Sequence, residues 1–378
     1  MLRIGGLLVL WFLSSLNQPD SGNPGATQSV PSGWGLTDDP ILEIGPPENE
    51  GRGGWGKLVG VSGLSSGNIV VADEINRELS LYGPDGSPIT HTGGSGEGPG
   101  EFRILMAPML CGGDSVFVWD PALGRVAIYD ENLRYVRQFR ASELRSTVSD
   151  ASGWQPRKMT CNRSGVYAIT ARTVEQLPKT EGAARVAMRV EMVTRDLVGT
   201  VVGPVSGDEL YLAGRSLAPR PLGKRTSVAL SEDRLFVGTA DSFAVDVYSL
   251  RGEPLNSIVD DFPPIEVSRA HLNAYLSNQP EEHRSFYANL EYPGTLPAYS
   301  DLKVDPDGNL WIEVYRAPTE KDERSRWQVY DPQGRSVASL EMPEGFIMFE
   351  PGTDYVLGIV RDDMGVERVL MFGLFRTD

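Results

Sequence analysis

Residues 93–102 read GGSGEGPGEF, five glycines and one proline in ten positions, and two readings compete for them. A loop this rich in glycine either cradles a phosphate or carries the chain from one piece of sheet to the next. The dinucleotide fingerprint G-x-G-x-x-G follows a strand and opens a helix. No register of the stretch satisfies it: Gly94 and Gly96 are followed by Pro99 where the third glycine belongs, and no helical periodicity comes after. The glycines are read as a junction instead, supplying positive φ values where one strand leaves a sheet and another enters the next.

On either side of the junction lie short apolar or alternating runs bounded by turn residues. Upstream these are LVGVSG, NIVVAD, ELSLYG and PITHTG; downstream, ILMAPML, SVFVWD, RVAIYD and RYVRQF. The rhythm continues through RKMTC, GVYAITA, RVAMRVEMVT and LVGTVVG, then TSVAL, RLFVGTA, FAVDVYS and PLNSIVD, then SDLKVD, NLWIEVY, RWQVYD and SVASLEM. The last set offers only FIMFE, YVLGIVR and ERVLMFGLF, one strand short, and PILEIG at 40–45 is left over to complete it. Four-stranded units recurring every ~45 to 60 residues are the pattern of a β-propeller. The chain is therefore read as all-β, a six-bladed β-propeller closed by an N-terminal strand, with a short helical insertion between blades four and five. Closure would remove the sheet edges that an open array exposes to other chains. A pair of β-sandwiches is the rival, and it gives no reason for the missing strand.

GxGEGPGEF, together with VADEINRELSLYGPDG before it, resembles the NHL-repeat type of six-bladed propeller found in secreted bacterial proteins. The match is sharp from Val70 to Phe102, weaker in VWDPALGRVAIYD, and later blades keep the rhythm without the motif letters. The resemblance implies a fold and not an activity. It also implies that Asp73 and Asp120, which precede Arg77 and Arg125, cap turns and brace blades.

Acidic residues outnumber basic ones 51 to 35 in 378 residues, a formal charge of −16. Nucleic acid is thereby an unsuitable partner, since its phosphates are bound mainly through Lys and Arg. The opening MLRIGGLLVLWFLSSLNQPDSG has a positive start, an apolar run and a polar break, the anatomy of a signal peptide, and the run is short for a membrane span. Residues 1–22 are read as that signal, 23–39 as a linker and 40–378 as the propeller. A periplasmic or extracellular protein follows, with no stable membrane insertion once the signal is cleaved.

Strand parity then sorts the connections. With strands A to D numbered outward from the channel, A–B and C–D turns share one end of the ring, and B–C and D–A connections share the other. The tight turns belong to the first class. The long excursions, 141–155, 173–184, 206–224, 265–299 and 316–324, all belong to the second, so one end carries the elaboration and is the candidate binding surface. Residues 267–292 read as two short helices forming a lid, with Ser268 an N-cap and Pro280 opening the second. Its notable side chains are His271, Tyr275, His283, Phe286 and Tyr287, which either meet a ligand or pack on blades four and five. Lys57, Arg103, Arg157, Lys158, Lys224 and Arg225 lie near the starts of four inner strands. They either favour a carboxylate or phosphate ligand at the mouth or pair with neighbouring acids.

Little catalytic chemistry stands out. Three histidines, His91, His271 and His283, argue against catalytic zinc. Calcium could use Asp301, Asp305 and Asp307, although Asp305-Pro-Asp307-Gly reads most simply as a turn. Cys111 and Cys161 occupy matching places in consecutive blades, so a disulfide or two buried thiols are both open. Inner strands such as ILMAPML and TSVAL are largely apolar. The reading that follows is a non-catalytic propeller binding a small anionic ligand or a protein through its loop-bearing end. The alternative is a metal-dependent enzyme of the lactonase or lyase kind, and a surface scaffold would require a broad apolar patch.

Overall fold

Hairpin after hairpin, the chain builds antiparallel sheets whose strands follow in sequence from the channel outward. A computed structural model describes residues 33–46, 54–145, 147–148, 150, 152–194, 198–320 and 323–376. The first sheet is Leu58–Gly63, Ile69–Asp73, Glu78–Tyr82 and Pro88–Gly93; the second is Pro108–Cys111, Ser115–Asp120, Arg125–Tyr129 and Tyr135–Arg140. The third is Trp154–Cys161, Tyr167–Thr173, Met188–Val193 and Gly199–Val205; the fourth is Ser227–Leu230, Arg234–Gly238, Ala244–Ser249 and Pro254–Val259. The fifth is Tyr299–Val304, Leu310–Val314, Arg326–Tyr330 and Ser336–Glu341. A sixth, Ile347–Pro351, Tyr355–Arg361 and Glu367–Arg376, is completed from the N-terminus by Leu42–Ile44 and Trp34–Leu36.

Each innermost strand touches the innermost strand of the next sheet, and Ile347–Pro351 touches Leu58–Gly63. The core is correspondingly divided into interfaces. Val70, Leu79 and Leu81 of the first sheet pack on Val116, Val118 and Tyr129 of the second, and Ile69 and Tyr82 on its other face meet Leu357, Ile359 and Val369 of the sixth. Second strands such as Ile69–Asp73 are buried throughout because sheets cover both their faces, whereas the outermost Pro88–Gly93 is almost wholly exposed. These features make the chain a β-propeller.

The N-terminal contribution is larger than the sequence reading allows. Leu42–Ile44 pairs with Val369–Met371, as PILEIG requires. Trp34–Leu36, in the stretch expected to be a linker, is also a strand and pairs with Leu374–Arg376. The surrounding Pro, Gly and Ser concealed a strand that is held chiefly by one aromatic ring. The Arg376 guanidinium lies 4.3 Å from the centre of the Trp34 ring and donates to the buried Asp305 carboxylate at 2.9 Å and to Asp307. The other residues of 1–32 lie outside those described.

The glycine-rich stretch is a junction. Gly94 N–H donates to Arg77 O, and Phe102 N–H returns to Gly94 O at 2.8 Å. At Gly93, where φ is +122°, a Cβ would lie 2.4 Å from Arg77 O, so glycine is required there. Phe102 anchors the loop in the core at 1% exposure. Arg125 donates to the carbonyls of Glu97, Gly98 and Glu101 at 2.7–2.9 Å. A phosphate cradle would aim N–H groups at its ligand; this loop aims carbonyls at a cation. Asp73 and Asp120 grip the chain at equivalent places, Asp73 accepting from the N–H groups of Gly56, Lys57, Ile75 and Asn76, and Asp120 from those of Arg103, Ala122 and Leu123.

Two further elements tie the ring. Cys111 and Cys161 are disulfide-bonded with their Cα atoms 5.6 Å apart, joining the second and third sheets near the ends of their inner strands. The excursions 173–184 and 206–224 pair with each other in a small sheet of Gly182–Arg185, Glu209–Ala213 and Ser216–Pro219.

Arg376→Ala would leave the Asp305 carboxylate buried without its cation and uncover Trp34. A loss of about 3 kcal/mol is expected, read as a lower midpoint in urea unfolding.

Candidate functional site

Hydrogen bonds across the turns close one end of the ring. Arg163, in the A–B turn of the third sheet, donates to Asp114 of the second at 3.0 Å and to Gly63 O of the first at 3.3 Å. Asn162 donates to Ser231 O of the fourth sheet at 2.8 Å. Glu350, on the sixth inner strand, accepts from Gly63 N–H at 3.1 Å and from the Tyr355 hydroxyl at 2.6 Å. Burial raises the Glu350 carboxyl, and those two donors with Arg163 and Lys303 only partly offset it. Ser65 in this end lies in a GLSSG stretch at 63–67 that fits G-x-S-x-G. Its hydroxyl bonds Asp114 from a hairpin turn, not from the strand-to-helix elbow that exposes a nucleophile.

The opposite end carries the excursions, and they touch one another. Lys224 Nζ reaches Thr295 O at 3.1 Å and Arg220 Nε reaches Glu291 O at 2.9 Å, joining 206–224 to 265–299. The helix Arg269–Ser277 contacts the turn Pro318–Glu320. Together they form a canopy over the third to fifth sheets, anchored by Leu222, Leu296, Ala317, Leu272, Tyr275 and Tyr315.

That canopy assigns the lid residues. Tyr275 packs at 5.7 Å from the Tyr287 ring and 6.2 Å from the Tyr292 ring, and burial pushes its hydroxyl up to about 12. His271 completes a capping box: its Nδ1 accepts from Ser268 N–H at 3.1 Å while Ser268 Oγ accepts from His271 N–H. His283 is exposed on the second helix, Glu281–Ala288. Neither histidine points to a reacting centre.

The six cations divide. Lys57 pairs with Glu74 at 2.6 Å, and Arg103 pairs with Glu97. Lys224 is buried between Thr295 and Glu209. Arg157, Lys158 and Arg225 are exposed and form no ion pair among the described residues. Lys158 lies within the third inner strand, Arg225 just before the fourth, and Arg157 is the extra residue of a bulge between Pro156 and Lys158. Arg172 lies beside them; burial first, then the Arg157 charge, lowers its pKa.

Polar side chains also converge inside the channel, contrary to the expectation of apolar inner strands. A crevice of about 60 Å³ between the third and fourth inner strands is lined by Lys158, Thr160, Thr170, Thr226, Ser227 and Asp301, with Met159, Ala168 and Val228. Asp301 faces it from the fifth sheet, paired with Lys303 at 2.9 Å, and 44% of its side chain is open to the channel. Burial alone would raise its carboxyl, but Lys303 and, across the channel, Lys158 outweigh that and hold it below the usual range. Directly opposite Asp301 in the ladder stands Glu313. Burial and the Asp301 charge push Glu313 up to about 7, against Lys303 and Arg316. Alternation conceals such residues in sequence: in SDLKVD the charged positions face the channel or a neighbouring blade while Leu302 fills the core. Asp305 and Asp307 are not beside Asp301; Asp305 accepts from Asn309 and Trp311, and both carboxylates hold Arg376. No three acidic, histidine or cysteine residues among those described converge as a metal cage.

No protein-family model matches the sequence, and no curated protein matches it. Solved structures do. A Bacteroides fragilis protein described as a candidate exported protein superposes with a TM-score of 0.52 at 12% identity, over 93% of this chain and 97% of its own. Regucalcin from Agrobacterium tumefaciens, described as a calcium-binding protein, gives 0.40 at 15% identity over 91% and 95%. Virginiamycin B lyase from Staphylococcus aureus gives 0.40 at 10% identity over 91% and 100%. At these identities the likeness to the Bacteroides protein concerns fold alone.

A carboxyl raised in the folded state stabilises while both states hold the proton, and that contribution is lost as pH rises between the unfolded and folded values. For Glu313 that window runs from 4.5 to about 7. Thermal unfolding across it should fall more with rising pH in the wild type than in Glu313→Gln; identical slopes would count against the assignment.

Proposed function

We propose that the chain is an exported six-bladed β-propeller of the NHL-repeat type that binds a small anionic ligand, without catalysis, at the loop-bearing end of its channel. The observation that carries this is the contrast among the cations. Lys57, Arg103 and Lys224 are satisfied by acids or by backbone, whereas Arg157, Lys158 and Arg225 form no ion pair among the described residues of a strongly acidic protein, Lys158 feeling only the more distant charge of Asp301. Unpaired cations beside a polar crevice are a charge-assisted anion site. Turns at the opposite end are tied to one another by hydrogen bonds, and the proposed entry is from the canopy side.

Six blades are supported by the cycle of inner-strand contacts and by interfaces each shared between neighbouring sheets. The NHL type rests on the glycine junction and its Asp–Arg clamp in the first blades. Export rests on residues 1–22, read as a signal, and accords with the Bacteroides protein's description. A metal is not required by this reading, and of the three aspartates considered for calcium, Asp305 and Asp307 are held by Arg376, away from Asp301.

One observation favours the lactonase- or lyase-like alternative. Asp301 and Glu313 are neighbouring carboxyls whose environments push their pKa values apart, the arrangement from which acid–base pairs are built. Hydrolysis or elimination abolished by Glu313→Gln would establish it over simple binding.

Isothermal titration with phosphate, citrate and short carboxylates tests the binding reading. Lys158→Ala with Arg225→Ala should weaken binding at least tenfold, since a lost charge-assisted contact costs about 1.5–3 kcal/mol. Arg103→Ala should leave it unchanged. Equal effects from both variants, or no binding by the wild type, would overturn the proposal.

A further inference from the structure

The crevice between the third and fourth inner strands has two chemically different walls. One wall presents the Lys158 ammonium and the Thr160 and Ser227 hydroxyls, none of which has a side-chain hydrogen bond or ion pair among the described residues. Thr170 and Thr226 line the same space but are engaged, Thr170 with the Lys158 backbone and Thr226 with Ser206 O at 2.6 Å. The facing wall presents Asp301. Its Oδ2 accepts from Lys303 and its Oδ1 from Leu302 N–H at 2.9 Å. An ionised carboxylate accepts about four hydrogen bonds, so acceptor capacity is left over on a side chain that the channel leaves open.

Size narrows the ligand further. A space of about 60 Å³ holds roughly four waters' worth of atoms, enough for the head of a small molecule and too little for a nucleotide or a sugar ring. A bare carboxylate would satisfy Lys158 and the hydroxyls but would bring negative charge towards Asp301 and Glu313. A head group carrying a cationic donor on the atom next to the carboxylate satisfies both walls.

Building on the anion-binding reading, we infer that this crevice is a subsite for an α-amino acid head group, its carboxylate on Lys158, Ser227 and Thr160 and its ammonium on Asp301. The side chain of the ligand is then directed up the channel, towards Arg157, Arg225 and the canopy.

Propanoate, lactate and alanine test this, because they differ only in what the α-carbon carries: hydrogen, hydroxyl or ammonium. Titrated into the full chain at pH 8, alanine should bind roughly tenfold or more tightly than propanoate, with lactate between. Asp301→Asn should weaken alanine and, by removing the negative charge that opposes a bare carboxylate, leave propanoate and lactate as tight or tighter, so that the preference for alanine is lost. Lys158→Met and, separately, Ser227→Ala should weaken all three together. If alanine and propanoate bind equally, or Asp301→Asn leaves their ratio untouched, amine recognition is wrong while anion binding at the mouth stands. If phosphate and citrate fail as well, the anion-binding reading falls with it.

Discussion

The fold depends on the pairing of the two chain ends within one sheet. The other four-stranded sheets each take their strands from one stretch of chain, and each needs covered faces on both sides. The first sheet obtains its second cover from Leu357, Ile359 and Val369 of the sixth, to which Leu42–Ile44 adds Ile44, while Trp34–Leu36 packs the sixth sheet against the fifth. Bringing residues so far apart in sequence together costs about 5 kcal/mol of chain entropy on the loop-closure model. The apolar interfaces on both sides of the sixth sheet offset that cost, and Arg376, held between Trp34, Asp305 and Asp307, fixes the seam.

Once the ring is closed, antiparallel geometry sorts its two ends. The A–B turns bond to one another through Asn162, Arg163 and Asp114 at one end. The long connections emerge at the other and join through the Gly182–Arg185 sheet, Lys224 and the Arg269–Ser277 helix. Arg157, Lys158 and Arg225 on this side form no ion pair among the described residues, and on the proposed reading they attract the ligand. Asp301 keeps part of its side chain in contact with solvent here, paired with Lys303, while Glu313 opposite it in the ladder is desolvated by burial.

Strand rhythm, the missing final strand and the glycine junction were legible because each is local: a period of two, a count, and residues that tolerate positive φ. Ser268, by its capping side chain, and Pro280, by its fixed φ, likewise mark where their helices start. What was not legible depends on partners distant in sequence. Trp34–Leu36 is too short to show a period, and its stability comes from Arg376 and Trp311. Lys57, Arg103 and Lys224 look identical to Arg157, Lys158 and Arg225 in sequence; only the fold supplies Glu74, Glu97 and Thr295 to the first three. The channel carboxylates were hidden by the alternation of strands, and Asp305 and Asp307, which resemble ligands in sequence, are consumed by the seam.

On the proposed reading a single end of the ring receives the ligand. Amide hydrogen exchange with and without a saturating carboxylate tests it across the whole chain at once. Slowed exchange should appear in residues 157–160 and 225–228 and in the canopy, with the turns at 112–114, 162–165 and 231–233 unaffected. Protection concentrated in those turns, or spread evenly around both ends, would contradict it.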